Sequence, residues 1–413
     1  MYNFRQGLLN SSFLLSSHIV VAVIQILSFS YVSRKLGPEQ LGIYSTVGAF
    51  VAFFIVFAMG GLSRVALRET SKDLHNSAKI IESIIGLKTA FSLFSLVLCW
   101  FCLYFTAYDS QVKFFIFIFS LQIIINSFQG IYSIIFQANE KMKLIGLFSI
   151  LYKLIITFLI ILCLEFGYGV RELIVIQIFG NFCNLLFLRF QSRNYCKFRA
   201  FRQPELNSKI IYPGISFSLI AFLETISTRV DVLMLSLLSN SAEVGIYAVG
   251  SKIAYQGVIV RNLAGMAFFP SSTKYLADNK ITFGFFYKYL LSVFLIFVAG
   301  LLFLQNYSEF MFVTIFGSEF AFSSKIFNIL FIYLIAVWLI FPLELIFNST
   351  GFERYVLYMR ILGASINIPL NFLLYQFYGV IGIAYATSLT YFSMLILMGF
   401  FFPKVIKYHN SSV

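Results

Sequence analysis

Of 413 residues, 60% are apolar and only 11% charged, with 52 Phe, a balance far outside the range of soluble domains. This excludes a water-soluble enzyme or binding module and implies helices that satisfy their own backbone hydrogen bonds within lipid. The net charge of +13 gives no reason to invoke nucleic acid, since the cations gather near the ends of apolar runs, where anionic membrane lipid lies.

Apolar runs near the ~20 residues that cross a hydrocarbon layer predict twelve spans, at about 9–33, 42–62, 84–106, 112–136, 144–165, 172–190, 211–237, 244–268, 286–305, 326–348, 355–376 and 379–402. The first is too long for a signal-peptide core and lacks a small-residue cleavage site, so it is expected to stay as a helix. Placing the N-terminus inside puts 19 Lys and Arg on the cytoplasmic side against 5 outside, which predicts that both termini are cytoplasmic. The longest connections, near 63–83, 190–210 and 269–285, run to about twenty residues each, too short for a nucleotide-binding domain. No G-x-x-x-x-G-K-[ST] signature occurs, so direct drive by ATP is not expected. An outer loop is expected near 306–325. Its Glu309 and Glu319 make a poor pair for glycosyl transfer, so transport outranks chemistry and no enzyme is expected.

The chain repeats itself. Leu41-Gly42-Ile43-Tyr44 returns as Val244-Gly245-Ile246-Tyr247, and Tyr168-Gly169-Val170 as Tyr378-Gly379-Val380, at offsets of 203 and 210 residues. Two matches at nearly one offset divide the chain into halves, 1–200 and 201–413, each holding six spans. An even number of spans per half predicts a parallel repeat.

Cys99-Trp100-Phe101-Cys102 has redox spacing but lies inside an apolar span, where thiolate chemistry is disfavoured, so the two cysteines are expected to be small packing residues. No metal-ligand set and no cofactor are expected. Asn306-Tyr307-Ser308 matches a glycosylation sequon on the expected outer side.

Ionisable residues inside spans are costly and mark either bundle interiors or wet paths. They are Lys88, Lys153, Arg229, Lys252, Arg261, Arg360, Glu224, Asp231, Glu344 and His18. Lys88 and Arg261 lie within one or two turns of the cytoplasmic end and are expected to snorkel. Glu344 and Arg360 sit at similar depth on neighbouring spans and are expected to form a structural ion pair, with Pro342 able to bend the helix beside them. Glu224, Thr228 and Asp231 follow i, i+4, i+7 and form a polar stripe. Lys252 matches Asp231 in depth and is its expected partner, whereas Arg229 points elsewhere. Lys153, Arg229 and Lys252 are the candidate cavity cations. His18, Glu224 and Asp231 are the candidate ion-coupling or cavity-polar groups, with a proton or sodium as the coupling ion.

At the seventh and eighth spans the sequence becomes recognisable. Arg229-Val230-Asp231-Val232-Leu233-Met234-Leu235, then Glu243-Val244-Gly245-Ile246-Tyr247-Ala248-Val249-Gly250-Ser251-Lys252, resembles the polysaccharide flippase family. These are the O-antigen and capsular exporters of the multidrug, oligosaccharidyl-lipid and polysaccharide exporter superfamily. Ser33-Arg34-Lys35-Leu36-Gly37-Pro38-Glu39-Gln40-Leu41-Gly42-Ile43-Tyr44 resembles that family's first hairpin. The resemblance implies an all-α membrane fold of two six-helix bundles around a cavity. It further implies a lipid-linked oligosaccharide cargo, carried on an undecaprenyl-type lipid across the bacterial inner membrane. A polysaccharide polymerase and a chain-length regulator for O-antigen, and so for lipopolysaccharide, would be partners. Such a cargo bears a pyrophosphate, which cavity cations suit. Two other functions stay open at this point: a multidrug or organic-cation exporter of the same superfamily, and a membrane glycosyltransferase or polymerase.

Overall fold

A computed structural model describes residues 4–59, 61–72, 77–195, 208–278, 283–350 and 352–412. These form thirteen α-helices: α1 (Phe4–Met59), α2 (Leu62–Lys72), α3 (Ser77–Tyr104), α4 (Ser110–Phe119), α5 (Leu121–Ala138), α6 (Met142–Glu165), α7 (Val170–Ser192), α8 (Ser208–Leu238), α9 (Ser241–Asp278), α10 (Phe283–Phe316), α11 (Ser323–Ser349), α12 (Glu353–Tyr378) and α13 (Val380–Ser412). Among the described residues, eight segments are long and apolar enough to cross a membrane.

The expected first hairpin is a break within one helical run. Gly37 adopts φ 70, ψ 176 inside α1, a conformation that glycine tolerates and other residues rarely adopt, and Pro38 restarts the helix with its fixed φ. The fourth expected span is built from α4 and α5, which meet at Ser120. The expected cytoplasmic loops contain helix: α2 occupies the start of 63–83, α9 continues to Asp278, and α10 begins at Phe283. The expected outer loop at 306–325 is likewise mostly helix, because α10 runs on to Phe316 and is followed by one 3-10 turn at Ser318–Phe320. Asn306 of the sequon therefore sits within a helix.

α3 is inside-out by the standard of soluble helices. It buries Ser92, Ser95 and Cys99 while exposing Phe94 (60%), Val97 (62%) and Phe101 (61%). Small polar residues let helix backbones approach, and large apolar ones face lipid. Ser95 Oγ donates across the contact to the Phe54 carbonyl.

The chain divides into two compact units, 1–229 and 230–413. In the first, α1 packs on α3, α5 and α6, while α5 also packs on α3 and α7. Its core gathers Ile81 and Ile85 of α3 with Ile135 and Phe136 of α5. In the second, α11 is central and touches α9, α10, α12 and α13. Phe347 of α11 there meets Met359 of α12 and Met398 of α13. The ladder of Gly-mediated approaches is tight: a Cβ on Gly250 of α9 would stand 2.7 Å from the Ser323 carbonyl oxygen of α11.

Candidate functional site

Asp231, on the last turns of α8, is 2% exposed. Its Oδ2 accepts hydrogen bonds from the Tyr247 and Tyr255 hydroxyls, both at 3.0 Å, and from Thr387 Oγ1 at 2.7 Å. Its Oδ1 accepts from Asn371 Nδ2 at 3.0 Å, and the same nitrogen donates to Asn367 Oδ1 at 3.0 Å. The placements follow from local geometry. Tyr247 and Tyr255 are i, i+8 on α9, Asn367 and Asn371 are i, i+4 on α12 around Pro369, and Thr387 lies two turns into α13. Three neutral donors thus converge on Oδ2 and one reaches Oδ1, so both carboxylate oxygens are engaged. Asn371 Oδ1 is buried and has no hydrogen-bond partner among the described residues.

The expected Lys252 partner is not there. Among the described residues Asp231 meets neither Lys nor Arg, because hydroxyl and amide donors already occupy both of its oxygens. The phenols extend further: the Tyr255 and Tyr333 rings lie 6.0 Å apart at 87°, and Tyr333 meets Tyr391 at 4.6 Å and 82°.

A second polar cluster lies in the same unit. Glu344 Oε1 accepts from Arg360 Nη2 at 3.1 Å, and Glu344 Oε2 accepts from Arg261 Nη2. The Arg261 and Glu344 side chains are each 11% exposed, and the Arg261 guanidinium stacks 5.3 Å from the centre of the Phe341 ring. Arg261 therefore does not snorkel. Depth along a helix fixes how far a side chain must reach, but the face it occupies decides where it goes, and this face of α9 looks onto α11.

Lys88 does not snorkel either. It is fully buried, donating from Nζ to Ser63 Oγ at 2.8 Å and to the Ser127 carbonyl at 3.3 Å. Ser127 Oγ in turn donates to the Ala58 carbonyl at 3.2 Å, so this lysine ties α2, α3 and α5 together at the end of α1.

The first unit also carries a layer of neutral polar groups. Gln177 Nε2 donates to the Tyr44 hydroxyl, Gln122 Nε2 to the Gln177 carbonyl at 3.2 Å, and Gln129 Nε2 to the Asn181 carbonyl at 2.8 Å. Tyr152 Oη donates to Asn181 Oδ1 at 2.6 Å. Lys153, the next residue on α6, is half-buried and makes no hydrogen bond or ion pair among the described residues. His18, Glu224 and Arg229 are exposed on the bare protein and Lys252 is half-buried. The stripe on α8 thus divides, with Asp231 buried and Glu224 exposed. Among the described residues no group of three His, Cys, Asp or Glu side chains could hold a metal ion.

Sequence reasoning singled out Asp231, Glu344 and Arg360 but missed Tyr247, Tyr255, Asn367, Asn371 and Thr387, and it misjudged Arg261 and Lys88. The usable signal was the polar residues standing alone in otherwise apolar spans.

Solved structures with the same fold include an inward-facing multidrug resistance MATE family transporter of the MOP superfamily, at 12% identity and TM-score 0.74, covering 97% of this chain and 99% of that one. Lipid II flippase MurJ in an inward closed conformation aligns at 15% identity and TM-score 0.74, covering 97% and 90%. A MOP superfamily transporter from Pyrococcus furiosus aligns at 12% and 0.66, covering 98% and 96%. No curated protein sequence matches the chain. The profile of the polysaccharide biosynthesis protein family matches residues 8–276, more than half of the sequence, and on that match the chain belongs to this family, with a fold like that of the MATE family transporter and MurJ.

Proposed function

We propose that this protein is a flippase. It moves a lipid-linked oligosaccharide, an O-antigen or capsular repeat unit on an undecaprenyl-type carrier, from the cytoplasmic to the outer leaflet of the bacterial inner membrane. Two six-helix bundles, 1–200 and 201–413, twelve spans in all with both termini inside, alternate access to a cavity. The observation that carries this reading is the polysaccharide biosynthesis family match over residues 8–276. The fold it shares with lipid II flippase MurJ supports it.

Transport against a gradient needs a coupling ion, and the Asp231 cluster suits one. Among the described residues the Asp231 carboxylate meets only neutral donors and no fixed cation, so a proton or sodium ion is the natural counter-charge. The buried, unpartnered Asn371 Oδ1, with Asn367 Oδ1 nearby, adds the oxygens that a hard cation takes. Lys153, Arg229 and Lys252 serve as cavity cations and His18 and Glu224 as polar wall in this scheme.

An organic-cation exporter is the second reading. The observation in its favour is the phenol cluster of Tyr247, Tyr255, Tyr333 and Tyr391 around an acid, the surroundings a cation prefers.

Surface glycan in a strain lacking this protein, restored by the wild-type gene at normal membrane abundance, tests the proposal. Restored glycan supports flipping. Resistance to cationic dyes without restored glycan sinks it in favour of the second reading. In proteoliposomes, an imposed sodium gradient and an imposed pH gradient identify the ion.

A further inference from the structure

We infer that the neutral polar layer of the first unit is a binding site for an uncharged sugar of the lipid-linked cargo, seated against Tyr44, Gln122 and Gln177 beside Gly48. This rests on the flippase reading and gives the glycan, rather than its carrier, a place of its own.

The first argument is the repeat. The helix break at Gly37 in α1 returns at Asn240 between α8 and α9, again 203 residues on. The same offset pairs Tyr44 with Tyr247 and Ser28 with Asp231, and the offset of 210 pairs Gln177 with Thr387. In the second unit Tyr247 and Thr387 both donate to the Asp231 carboxylate. In the first, Gln177 Nε2 donates directly to the Tyr44 hydroxyl, and the acid's counterpart is the buried Ser28. The meeting point is kept while its charge is gone. A site of that kind has nothing to balance an ion and suits a ligand that brings no charge.

The second argument is unspent hydrogen bonding. Gln122 is 2% exposed and its Nε2 donates to the Gln177 carbonyl at 3.2 Å, but its buried Oε1 accepts from no group among the described residues. Tyr44 Oη accepts from Gln177 and meets no acceptor for its own proton among them. An acceptor without a donor and a donor without an acceptor call for a ligand that does both, as a sugar hydroxyl does. Asn181, one turn after Gln177 on α7, extends the layer by accepting from the Tyr152 hydroxyl at 2.6 Å. Lys153 lies about 100° round α6 from Tyr152, so the layer itself is amide and phenol.

The third argument is room. Gly48 follows Tyr44 by one turn on the same face of α1, about 6 Å along. A Cβ placed on it would meet nothing within 4 Å. Glycine weakens a helix interior relative to alanine, and no neighbour here demands it, so packing does not account for it. Its counterpart 203 residues on is Ser251, which is buried and donates to the Ala248 carbonyl at 3.4 Å. The second unit therefore fills the place that the first leaves open. The Tyr44 ring beside this gap offers a surface to the apolar face of a sugar.

Equilibrium binding to the purified full chain, in nanodiscs free of sugar-headed detergent, tests this with two probes: citronellyl pyrophosphate, and the same lipid bearing N-acetylglucosamine. The wild type should bind the sugar-bearing probe roughly tenfold more tightly than the bare one, the worth of one or two net hydrogen bonds. Tyr44→Phe and Gln122→Leu each remove an unspent polar atom, and Gly48→Leu fills the gap. Each should bring that ratio below about threefold while the bare probe binds as before, with Gly48→Ala falling between. A purely structural role lowers both affinities and leaves the ratio intact. A wild-type ratio near one, a ratio unchanged in all three variants, or loss of both probes in every variant would overturn the proposal. Free N-acetylglucosamine binding as tightly as the sugar-bearing probe would overturn its cargo part. Glucuronic acid in place of N-acetylglucosamine should abolish the advantage, and a larger advantage would overturn its uncharged part. Glycan restoration is scored separately. A wild-type protein that restores glycan with a ratio near one defeats this site alone, whereas one that fails to restore glycan defeats the flippase reading whatever the ratio.

Discussion

Asn371 Nδ2 reaches Asp231 Oδ1 at 3.0 Å across 140 residues of sequence, joining α12 to α8. The same amide bonds Asn367 one turn away, so the carboxylate is held by a group that is itself fixed. Asp231→Asn keeps the volume and removes the charge. Surface glycan should fall at least tenfold with membrane abundance unchanged, and display above half the wild-type level would remove Asp231 from ion coupling.

Thr387→Val deletes the 2.7 Å donor to the carboxylate and fills its space with a methyl. Removing a hydrogen bond to a charged group costs roughly 1.5–3 kcal/mol. The melting temperature of the detergent-solubilised protein should drop by several degrees, whereas Thr387→Ser should stay near wild type. Equal melting of all three would show that the hydroxyl contributes nothing.

Exchange of charges between Asp231 and Lys252 should not recover activity. A lysine at 231 would face two phenols, a threonine and an amide arranged to donate, with no carboxylate opposite. The double variant Asp231→Lys with Lys252→Asp is expected to be as inactive in glycan display as the worse single one. Recovery to a third of wild type would mean that the two residues meet during the transport cycle.

Lys88 and Ser63 give a prediction against intuition. Lys88→Met replaces a buried cation by an apolar chain of similar length, and such replacements are often neutral or better. Ser63→Ala keeps the cation and removes its 2.8 Å acceptor, leaving only the longer bond to the Ser127 carbonyl. An underpaired buried charge costs about 1–3 kcal/mol or more. Ser63→Ala should therefore melt lower than Lys88→Met, and the reverse order would assign Lys88 a role beyond packing.

Gly37 and Gly382 should resist substitution for different reasons. Gly37→Ala places a Cβ in a backbone region that costs on the order of 1–3 kcal/mol for non-glycine residues. A Cβ on Gly382 would lie 2.1 Å from the Leu374 carbonyl oxygen, a clash with backbone that only helix displacement relieves. Both variants should show reduced membrane abundance, with Gly382→Ala the more severe.

The helices were legible wherever hydropathy alone defines them. α10 shows the limit: Asn306, Ser308 and Glu309 end the apolar run near 305, yet the helix continues to Phe316, because polar residues beyond the hydrocarbon do not stop a helix. Gly37-Pro38 marked a real break but not its shape, since one left-handed residue can redirect a helix without a loop. Asp231 stood out as an acid in an apolar span. Its partners could not be found, being neutral residues that lie 16 to 156 positions away and carry no sign to match. Arg261 was misjudged because depth follows from counting residues, whereas facing depends on which helix is the neighbour.

One carboxylate holding groups from three other helices has a consequence for how a signal spreads. Asp231 belongs to α8, and its donors come from α9, α12 and α13. A single arriving charge changes the terms of all four attachments in the same instant. No relay from helix to helix is required, and no order of events among them is imposed. Helices that share one addressee respond as a committee rather than as a chain of messengers, so loss of any single donor should blunt the response without silencing it, and only loss of the carboxylate should make the bundle deaf.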